Sequence, residues 1–211
     1  MTDKPPSFRH RVEYLAVISV VAGVRLLPMA IVLALGSVIG RAFYWIDRPH
    51  RRLAMRNLQA AFPLRTQAEC RAIARGMFAH FGRLLTVFLK FSTMSPDEML
   101  ARVTFEGEER VRAAHLHGKG ALLFTGHFGF WEINALVHAV ALWPMSVLAR
   151  QLDNPLLHHL LESTRMRTGN SVIYRRGAIR RVLRALESNQ AVAVLIDQHI
   201  QAPDAVTVNF F

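Results

Sequence analysis

Hydrophobic and polar positions change their period about halfway along the chain, and this change predicts two kinds of structure. The first half is typical of long helices: an apolar stretch from Tyr14 to Ile46, a helix over 51–62, and a longer helix over 67–91 that Thr66 caps. In the second half, short apolar runs alternate with helical patterns. This alternation predicts an α/β fold in which helices flank both faces of a mainly parallel sheet.

The α/β half contains several predicted strands joined by helices. The predicted strands are Val103–Glu106, Ala121–Thr125, Met145–Ala149, Ser171–Tyr174 and Ala191–Ile196. The helices between them are predicted at Glu108–His117, Phe130–Leu142, Pro155–Arg167 and Ala178–Glu187. Ligands of open parallel sheets bind beyond the carboxyl ends of the strands. Polar residues just beyond the ends of strands are therefore candidate site residues, and three of them are His127, Arg150 and Asp197.

The N-terminal stretch suggests attachment to a membrane. Residues 1–11 are polar and basic, which predicts irregular structure. The charge-free run Leu26–Gly40 is shorter than the roughly 20 residues that span a bilayer, and Pro28 predicts a kink. A single-pass anchor and a hydrophobic hairpin in the membrane plane both remain open. We expect a hydrophobic membrane anchor over 1–46 and a catalytic domain over 47–211.

Charge and cysteine content narrow the possible partners. The chain has 26 Lys and Arg against 15 Asp and Glu, a formal net charge of +11, and 52% of its residues are hydrophobic. A basic, apolar-rich chain favours anionic surfaces. No helix-turn-helix, zinc-finger or RNA-binding signature is found, so we expect anionic membrane lipid and no nucleic acid as partner. The single cysteine, Cys70, excludes an internal disulfide and is typical of a reducing compartment.

A Gly-His-Phe-Gly turn at 126–129 joins the strand Ala121–Thr125 to the following helix, and Glu132 lies five residues after His127. On one continuous helix the two side chains would point about 140° apart, so they meet only if the chain turns between them, as Gly129 permits. In that geometry His127 is a candidate general base for a hydroxyl, with Glu132 holding its tautomer. Backbone N–H groups near Gly129 would stabilise an oxyanion. The simpler interpretation is a strand-to-helix turn with a hydrogen-bonded histidine.

The segment Thr-Gly-His127-Phe-Gly-Phe-Trp-Glu132 resembles the His-x4-Asp/Glu motif of the lysophospholipid acyltransferase-like superfamily. Its Trp-Glu ending resembles the lipid A biosynthesis (lauroyl/myristoyl) acyltransferases and the related phosphatidylinositol mannoside acyltransferases, which often have Asn in place of Phe130. The resemblance implies an O-acyltransferase that moves an acyl group from a thioester to a hydroxyl of a lipid A precursor or similar glycolipid. It implies no cofactor and no metal, since acyl carrier protein or coenzyme A thioester is a co-substrate.

Three further segments resemble blocks of the same family: Arg150 to Asn154-Pro155, the stretch from Arg165 to Gly169-Asn170, and Asp197-Gln198. The resemblance gives substrate-binding or oxyanion-stabilising roles to Gly129, Arg150, Asn154, Arg165, Asp197 and Gln198. From the residues alone, Asn154 is equally a helix cap, Arg165 part of a solvated basic face, and Asp197 a loop cap. The final residues 206–211 resemble a segment that continues in the family, so we expect the sequence to end within the catalytic domain.

The resemblance also implies a location and leaves other functions open. We expect a monomer, anchored by its N-terminal segment at the cytoplasmic face of the cell inner membrane.

A basic cluster suits an acidic carrier protein, coenzyme phosphates, lipid headgroups or plain solvation; it comprises Arg175, Arg176, Arg180, Arg181 and Arg184. The alternatives are a phosphatidylinositol mannoside-type acyltransferase, a catalytically silent lipid-binding homologue, and an acyl hydrolase that uses water.

Overall fold

The chain forms two compact units in a computed structural model that describes residues 5–198 and residue 206. The helical unit contains the chain up to residue 103 together with residues 152–164, and the α/β unit contains residues 104–151 and the chain from residue 165. The predicted boundary at residue 46 between an anchor and a catalytic domain stays a prediction. Of the C-terminal segment 206–211, all but Val206 lies outside the described residues.

The order of elements shows helices first and alternating strands and helices afterwards. In chain order they are α1 (Phe8–Leu26), α2 (Met29–Ile46), α3 (Arg48–Ala61), α4 (Gln67–Phe91), α5 (Pro96–Leu100), α6 (Glu108–Leu116), β1 (Ala121–Thr125), α7 (Trp131–Ala141), β2 (Met145–Ala149), α8 (Pro155–Met166), β3 (Ser171–Tyr174), α9 (Ala178–Glu187) and β4 (Ala191–Leu195).

The N-terminal segment differs from the prediction in two respects. Residues 8–11 are helical, because Ser7 caps α1: its hydroxyl accepts from the backbone N–H of His10 at 3.2 Å. Pro28 separates α1 from α2 and does not merely kink one helix, since proline lacks an N–H and disfavours a helical residue before it. By length and composition, α2 and α4 could each cross a membrane.

Glycines bring α2 and α4 into close contact. A Cβ atom added to Gly36 would lie 2.7 Å from the carbonyl oxygen of Gly82, and one added to Gly40 would lie 2.8 Å from the Cα of Ala79. The buried Thr86 hydroxyl donates to the Val32 carbonyl across the same contact at 3.1 Å. Small residues and an interhelical hydrogen bond are the usual means by which apolar helices approach closely.

The α/β unit is built on a four-stranded sheet in the order β1-β4-β2-β3. Every pairing is parallel, which confirms the predicted α/β fold. The β1-to-β2 and β3-to-β4 connections run in opposite directions along the sheet, so right-handed crossovers place α7 and α9 on opposite faces. Val192, Leu136 and Val137 are at most 1% exposed in the core of this unit.

The predicted strand Val103–Glu106 is wrong. The structure assigns no strand to this segment, which runs irregularly between α5 and α6. Phe105 and Glu106 line a cavity of the α/β unit instead. A short apolar run can form a strand only where a sheet edge is available to pair with it, and its own sequence does not show whether one is.

Candidate active site

The pairing of β1 with β4 brings His127 and Asp197 together. Thr125 and Leu195 end the two strands in register, and the N–H of Ile196 donates to the Thr125 carbonyl at 3.0 Å. The segments that follow β1 and β4 therefore leave the carboxyl edge of the sheet side by side. Residues that are 70 positions apart in the sequence become neighbours as a result.

The Asp197 carboxylate binds His127 through both of its oxygens. Oδ1 lies 2.8 Å from the imidazole Nδ1, and Oδ2 accepts from the His127 backbone N–H at 2.7 Å. The side-chain and backbone hydrogen bonds from His127 lower the pKa of Asp197 below its ordinary value. The ionised carboxylate can only accept, so it binds the Nδ1–H, and in the neutral imidazole with that tautomer the lone pair is on Nε2.

The remaining contacts of His127 orient the ring. Trp131 packs edge-on against it, with ring centroids 5.1 Å apart. The Gln198 side-chain nitrogen lies 3.4 Å from Nε2, where it can donate to the lone pair. A third of the His127 side chain is exposed.

Two glycines shape the turn around this pair. A Cβ atom at Gly126 would lie 3.1 Å from the Asp197 Oδ2, so a side chain there would crowd the carboxylate. Gly129 has a φ of +63°, a left-handed conformation that favours glycine. The chain then enters α7 from Phe130, which provides no side-chain cap. The Phe130 side chain thus caps none of the N–H groups in the first turn of α7, which lie close to His127 in the sequence.

The predicted hydrogen bond between His127 and Glu132 is not made. Glu132 instead forms a two-pronged ion pair with Arg165: Arg165 Nε donates to Oε2 at 3.0 Å and a terminal guanidinium nitrogen donates to Oε1. Their side chains are only 23% and 16% exposed. Glu132 does not contact His127 because it lies in the first turn of α7, which begins at Trp131. From there its side chain points toward the end of α8, where Arg165 lies. The catalytic roles assigned to His127 and Glu132 stay predictions.

The other predicted site residues occupy different places. Gln198 joins His127 and Asp197, whereas the Arg165 guanidinium is paired with Glu132. Arg150 is exposed and directly follows β2 at the carboxyl edge of the sheet. Asn154 belongs to the helical unit, where it is 6% exposed. Its amide nitrogen donates to the carbonyl of His10 and to Glu13, while its oxygen caps α8, as the simpler interpretation predicted.

A cavity of about 320 Å³ lies within the α/β unit, near the lower limit of the size of ligand pockets. The Glu132–Arg165 pair forms part of its wall. Most of the remaining wall is apolar and comes from the sheet and α7, including Leu123, Trp131, Leu136, Met145, Val147 and Leu195. No group of side chains suited to a metal ion occurs among residues 5–198.

His138 is a polar residue in the same wall that the sequence did not indicate. It is 7% exposed, and burial lowers the pKa of its imidazole. Its Nδ1 lies 3.1 Å from the Trp143 carbonyl, whereas its Nε2 has no hydrogen-bond partner among the described residues. Asn170, also in the wall, connects α7 to β2: it donates to the Ala135 carbonyl and accepts from the Met145 N–H. The Arg165 to Asn170 resemblance was the one signal that pointed to Asn170.

The model of the bacterial lipid A biosynthesis acyltransferase family matches residues 1–211. The chain belongs to this family. The resemblance drawn from the turn at 126–132 is thereby confirmed at the level of the family.

Three curated relatives of this chain are named as lipid A biosynthesis acyltransferases. The chain is 25% identical over 211 residues to the lipid A biosynthesis myristoyltransferase of Escherichia coli strain K12, covering 97% of this chain and 64% of the relative. It is 27% identical over 181 residues to a lipid A biosynthesis acyltransferase of Haemophilus influenzae, covering 83% and 56%. It is 26% identical over 186 residues to the lauroyltransferase of Escherichia coli K12, covering 88% and 60%. The chain thus spans less than two thirds of the length of these relatives.

Proposed function

We propose that this chain is an O-acyltransferase that moves a fatty acyl group from a thioester donor to a hydroxyl of a lipid A precursor. Family membership and the names of its relatives support this reaction class and acceptor. The observation on which the mechanism rests is the His127–Asp197 pair at the carboxyl edge of the sheet. No cofactor and no metal is part of the proposal.

His127 is the general base in this mechanism, and Asp197 is the carboxylate that positions it. An imidazole whose Nδ1–H is bound by a carboxylate keeps the Nε2 lone pair for the substrate, and the carboxylate stabilises the imidazolium that forms. Glu132 has a different role from the one the motif predicted. Paired with Arg165, it fixes the first turn of α7 and thereby the turn at 126–129 that presents His127.

The reaction follows from this geometry. The acceptor hydroxyl gives its proton to His127 Nε2, and its oxygen forms a bond to the thioester carbonyl carbon. The resulting tetrahedral oxyanion collapses, the carbon–sulfur bond breaks, and the leaving thiolate takes the proton from Nε2. The products are an ester and a free thiol. No acyl-enzyme is required, because the base activates the acceptor directly.

The oxyanion needs donors near the reacting carbonyl. The first N–H groups of α7 receive no cap from the Phe130 side chain and lie at the positive end of the helix dipole. Arg150, which is exposed at the same edge of the sheet, is the second proposed donor. Arg165 is a weaker choice than the sequence indicated, because its guanidinium already binds Glu132.

The apolar cavity is the proposed site of the donor acyl chain. Trp131 contacts both the cavity and the imidazole of His127, so a chain in the cavity would place its thioester end near the base. The size of the cavity suits a single acyl chain better than a whole glycolipid. The acceptor would therefore approach from the exposed side of His127.

The helical unit is the proposed membrane attachment. Apolar side chains of α2 are exposed on its surface, including Val38 at 61%, Phe43 at 54% and Trp45 at 64%. Patches of this kind mark membrane or protein contacts. We propose attachment to an inner membrane with the α/β unit on the cytoplasmic side. The protein is proposed to act as a monomer.

The test is acyl transfer by membranes that contain the protein, with labelled acyl thioesters as donors and a lipid A precursor as acceptor. His127→Ala should lower kcat by at least about a hundredfold, the usual contribution of a general base. His117→Ala is the matched control, because His117 is exposed in the same unit and outside the site. Equal activity of both variants would contradict the mechanism.

The same assay distinguishes the other functions. Transfer to a mannosyl-inositol lipid but not to the lipid A precursor would favour the phosphatidylinositol mannoside branch. Release of free fatty acid without an acceptor would indicate hydrolysis. Binding of lipid without any transfer by the folded wild-type protein would identify a silent lipid-binding homologue.

A further inference from the structure

Both ring nitrogens of His127 are bound by side chains of two consecutive residues. The Asp197 Oδ1 lies 2.8 Å from Nδ1, and the side-chain nitrogen of Gln198 lies 3.4 Å from Nε2. Both residues follow β4, which ends at Leu195 and pairs with β1 in the α/β unit. The segment after β4 therefore holds the imidazole at each of its two nitrogens.

The contact between Gln198 and Nε2 is weak and can be broken easily. With the Nδ1–H bound by the Asp197 carboxylate, the neutral imidazole has its lone pair on Nε2, and an amide N–H can donate to it. The distance of 3.4 Å is at the long end of the range for hydrogen bonds. Gln198 is exposed, so its side chain can turn into solvent without disturbing the core.

This contact uses the lone pair that the proposed reaction requires. In that reaction the acceptor hydroxyl gives its proton to His127 Nε2, and the single lone pair cannot bind the hydroxyl and the amide together. The acceptor must therefore displace the Gln198 amide before the proton is transferred. The resemblance gave Gln198 a substrate-binding or oxyanion role, whereas in the structure its amide nitrogen contacts the base itself.

We propose that Gln198 is a positioning residue that holds Nε2 until the acceptor arrives, and that it thereby favours acyl transfer over hydrolysis of the thioester. The inference rests on the proposed function and adds a determinant of its specificity. Hydrolysis would follow the same path. Water would give its proton to Nε2, its oxygen would bond to the thioester carbonyl carbon, the carbon–sulfur bond would break, and the leaving thiolate would take the proton. The products would be a free fatty acid and a free thiol.

The two nucleophiles differ in how they can offset the loss of the amide contact. A glycolipid acceptor makes contacts away from its reacting hydroxyl, and the binding energy of those contacts can offset a cost at the reacting centre. A water molecule has no such contacts. One hydrogen bond between neutral groups changes a rate by about two- to tenfold. Gln198 therefore lowers the rate of hydrolysis without abolishing it.

The first experiment compares Gln198→Ala with the wild type, as full chains in membranes with labelled myristoyl coenzyme A as the donor. Without an acceptor, release of free fatty acid should rise by about two- to tenfold in Gln198→Ala. With the lipid A precursor present, the kcat for transfer should change by less than about twofold. Gln190→Ala is the matched control. It removes the same side chain from an exposed position at the other end of β4, and both rates should stay unchanged.

The second experiment measures the availability of Nε2 apart from activity. Diethyl pyrocarbonate acylates unprotonated imidazole nitrogens, and mass spectrometry of peptides gives the rate for each histidine. His127 should react about two- to tenfold faster in Gln198→Ala than in the wild type or in Gln190→Ala. The exposed His117 should react equally in all three proteins. His138, which is 7% exposed, should stay slow in all three, which shows that the variants are folded.

Three results would overturn the inference. The first is labelling of His127 that is unchanged in Gln198→Ala, and the second is faster labelling without faster hydrolysis. The third is a kcat for transfer that falls by about tenfold or more with no rise in hydrolysis, which would assign the amide to the oxyanion instead. If the wild type transfers to no acceptor, the proposed function fails, and the labelling of His127 alone decides whether Gln198 holds Nε2.

Discussion

Replacing Glu132 by glutamine should destabilise the protein, because Arg165 would then remain largely buried without its carboxylate. Breaking a fully buried ion pair by removing one partner costs about 3–5 kcal/mol. These side chains are 23% and 16% exposed, so solvent offsets part of the loss. Two hydrogen bonds join Arg165 to the Glu132 carboxylate, and hydrogen bonds to charged groups contribute about 1.5–3 kcal/mol each. Because glutamine can still accept one of them, we expect a loss of about 2–3 kcal/mol.

The assay is a double-mutant cycle of Glu132→Gln, Arg165→Met and the double variant. The free energy of unfolding of each protein is measured by denaturant titration, with tryptophan fluorescence as the signal. The double variant removes both charges, so it should lose less stability than the two single variants together, by about 1–2 kcal/mol. Glu109→Gln is the control, since Glu109 and Arg110 are 4.0 Å apart and largely exposed. It should change stability by less than about 0.5 kcal/mol. Strict additivity, or a Glu132→Gln variant as stable as the wild type, would refute the assigned role of the pair.

Three further outcomes are expected. Gly40→Leu should destabilise the helical unit by about 1–3 kcal/mol in thermal unfolding, because its side chain would enter α4, whereas Gly23→Leu, which meets no neighbour, should not. The wild type should be more stable to unfolding than Asp197→Asn by an amount that is complete above pH 3.8, the ordinary pKa of Asp197. This difference should fall as the pH drops through the lowered pKa of Asp197 in the folded state, as unfolding measured at a series of acid pH values would show. Ala193→Leu, which fills part of the cavity, should reduce transfer of long acyl chains at least about tenfold more than transfer of short ones, whereas the exposed Ala113→Leu should not.

The sequence predicted most of the secondary structure because the signals are local. Thr66 begins α4, where its hydroxyl accepts from the Glu69 N–H and the Glu69 carboxylate accepts from the Thr66 N–H, so the observed helix Gln67–Phe91 matches the prediction. The strands β1, β2 and β3 also match, because each apolar run is bounded by turn residues. The close approach of α2 and α4 was missed, although Gly36 and Gly40 have the spacing of a small-residue contact.

The partner of His127 could not be predicted from local sequence. The motif supplies a carboxylate five positions away, so Glu132 was the natural choice. The actual contact depends on strand order, because β4 lies beside β1 and brings Asp197 to the imidazole. Similarly, the helical pattern of the sequence predicts an exposed Arg165. In the structure the start of α7 places Glu132 against its guanidinium. Long-range pairing decides which of several polar residues meet, and the periodicity of a single segment does not contain that information.

The most direct test of the account is the comparison of Asp197→Asn with Glu132→Gln in acyl transfer, at a temperature where both variants are folded. If Asp197 positions the base, Asp197→Asn should lower kcat by at least about a hundredfold with little change in KM, because the amide would favour the wrong tautomer of His127. Glu132→Gln should keep most of its kcat under the same conditions. Full activity of Asp197→Asn together with a collapse of kcat in Glu132→Gln would contradict the account and restore the carboxylate of the motif as the partner of the base.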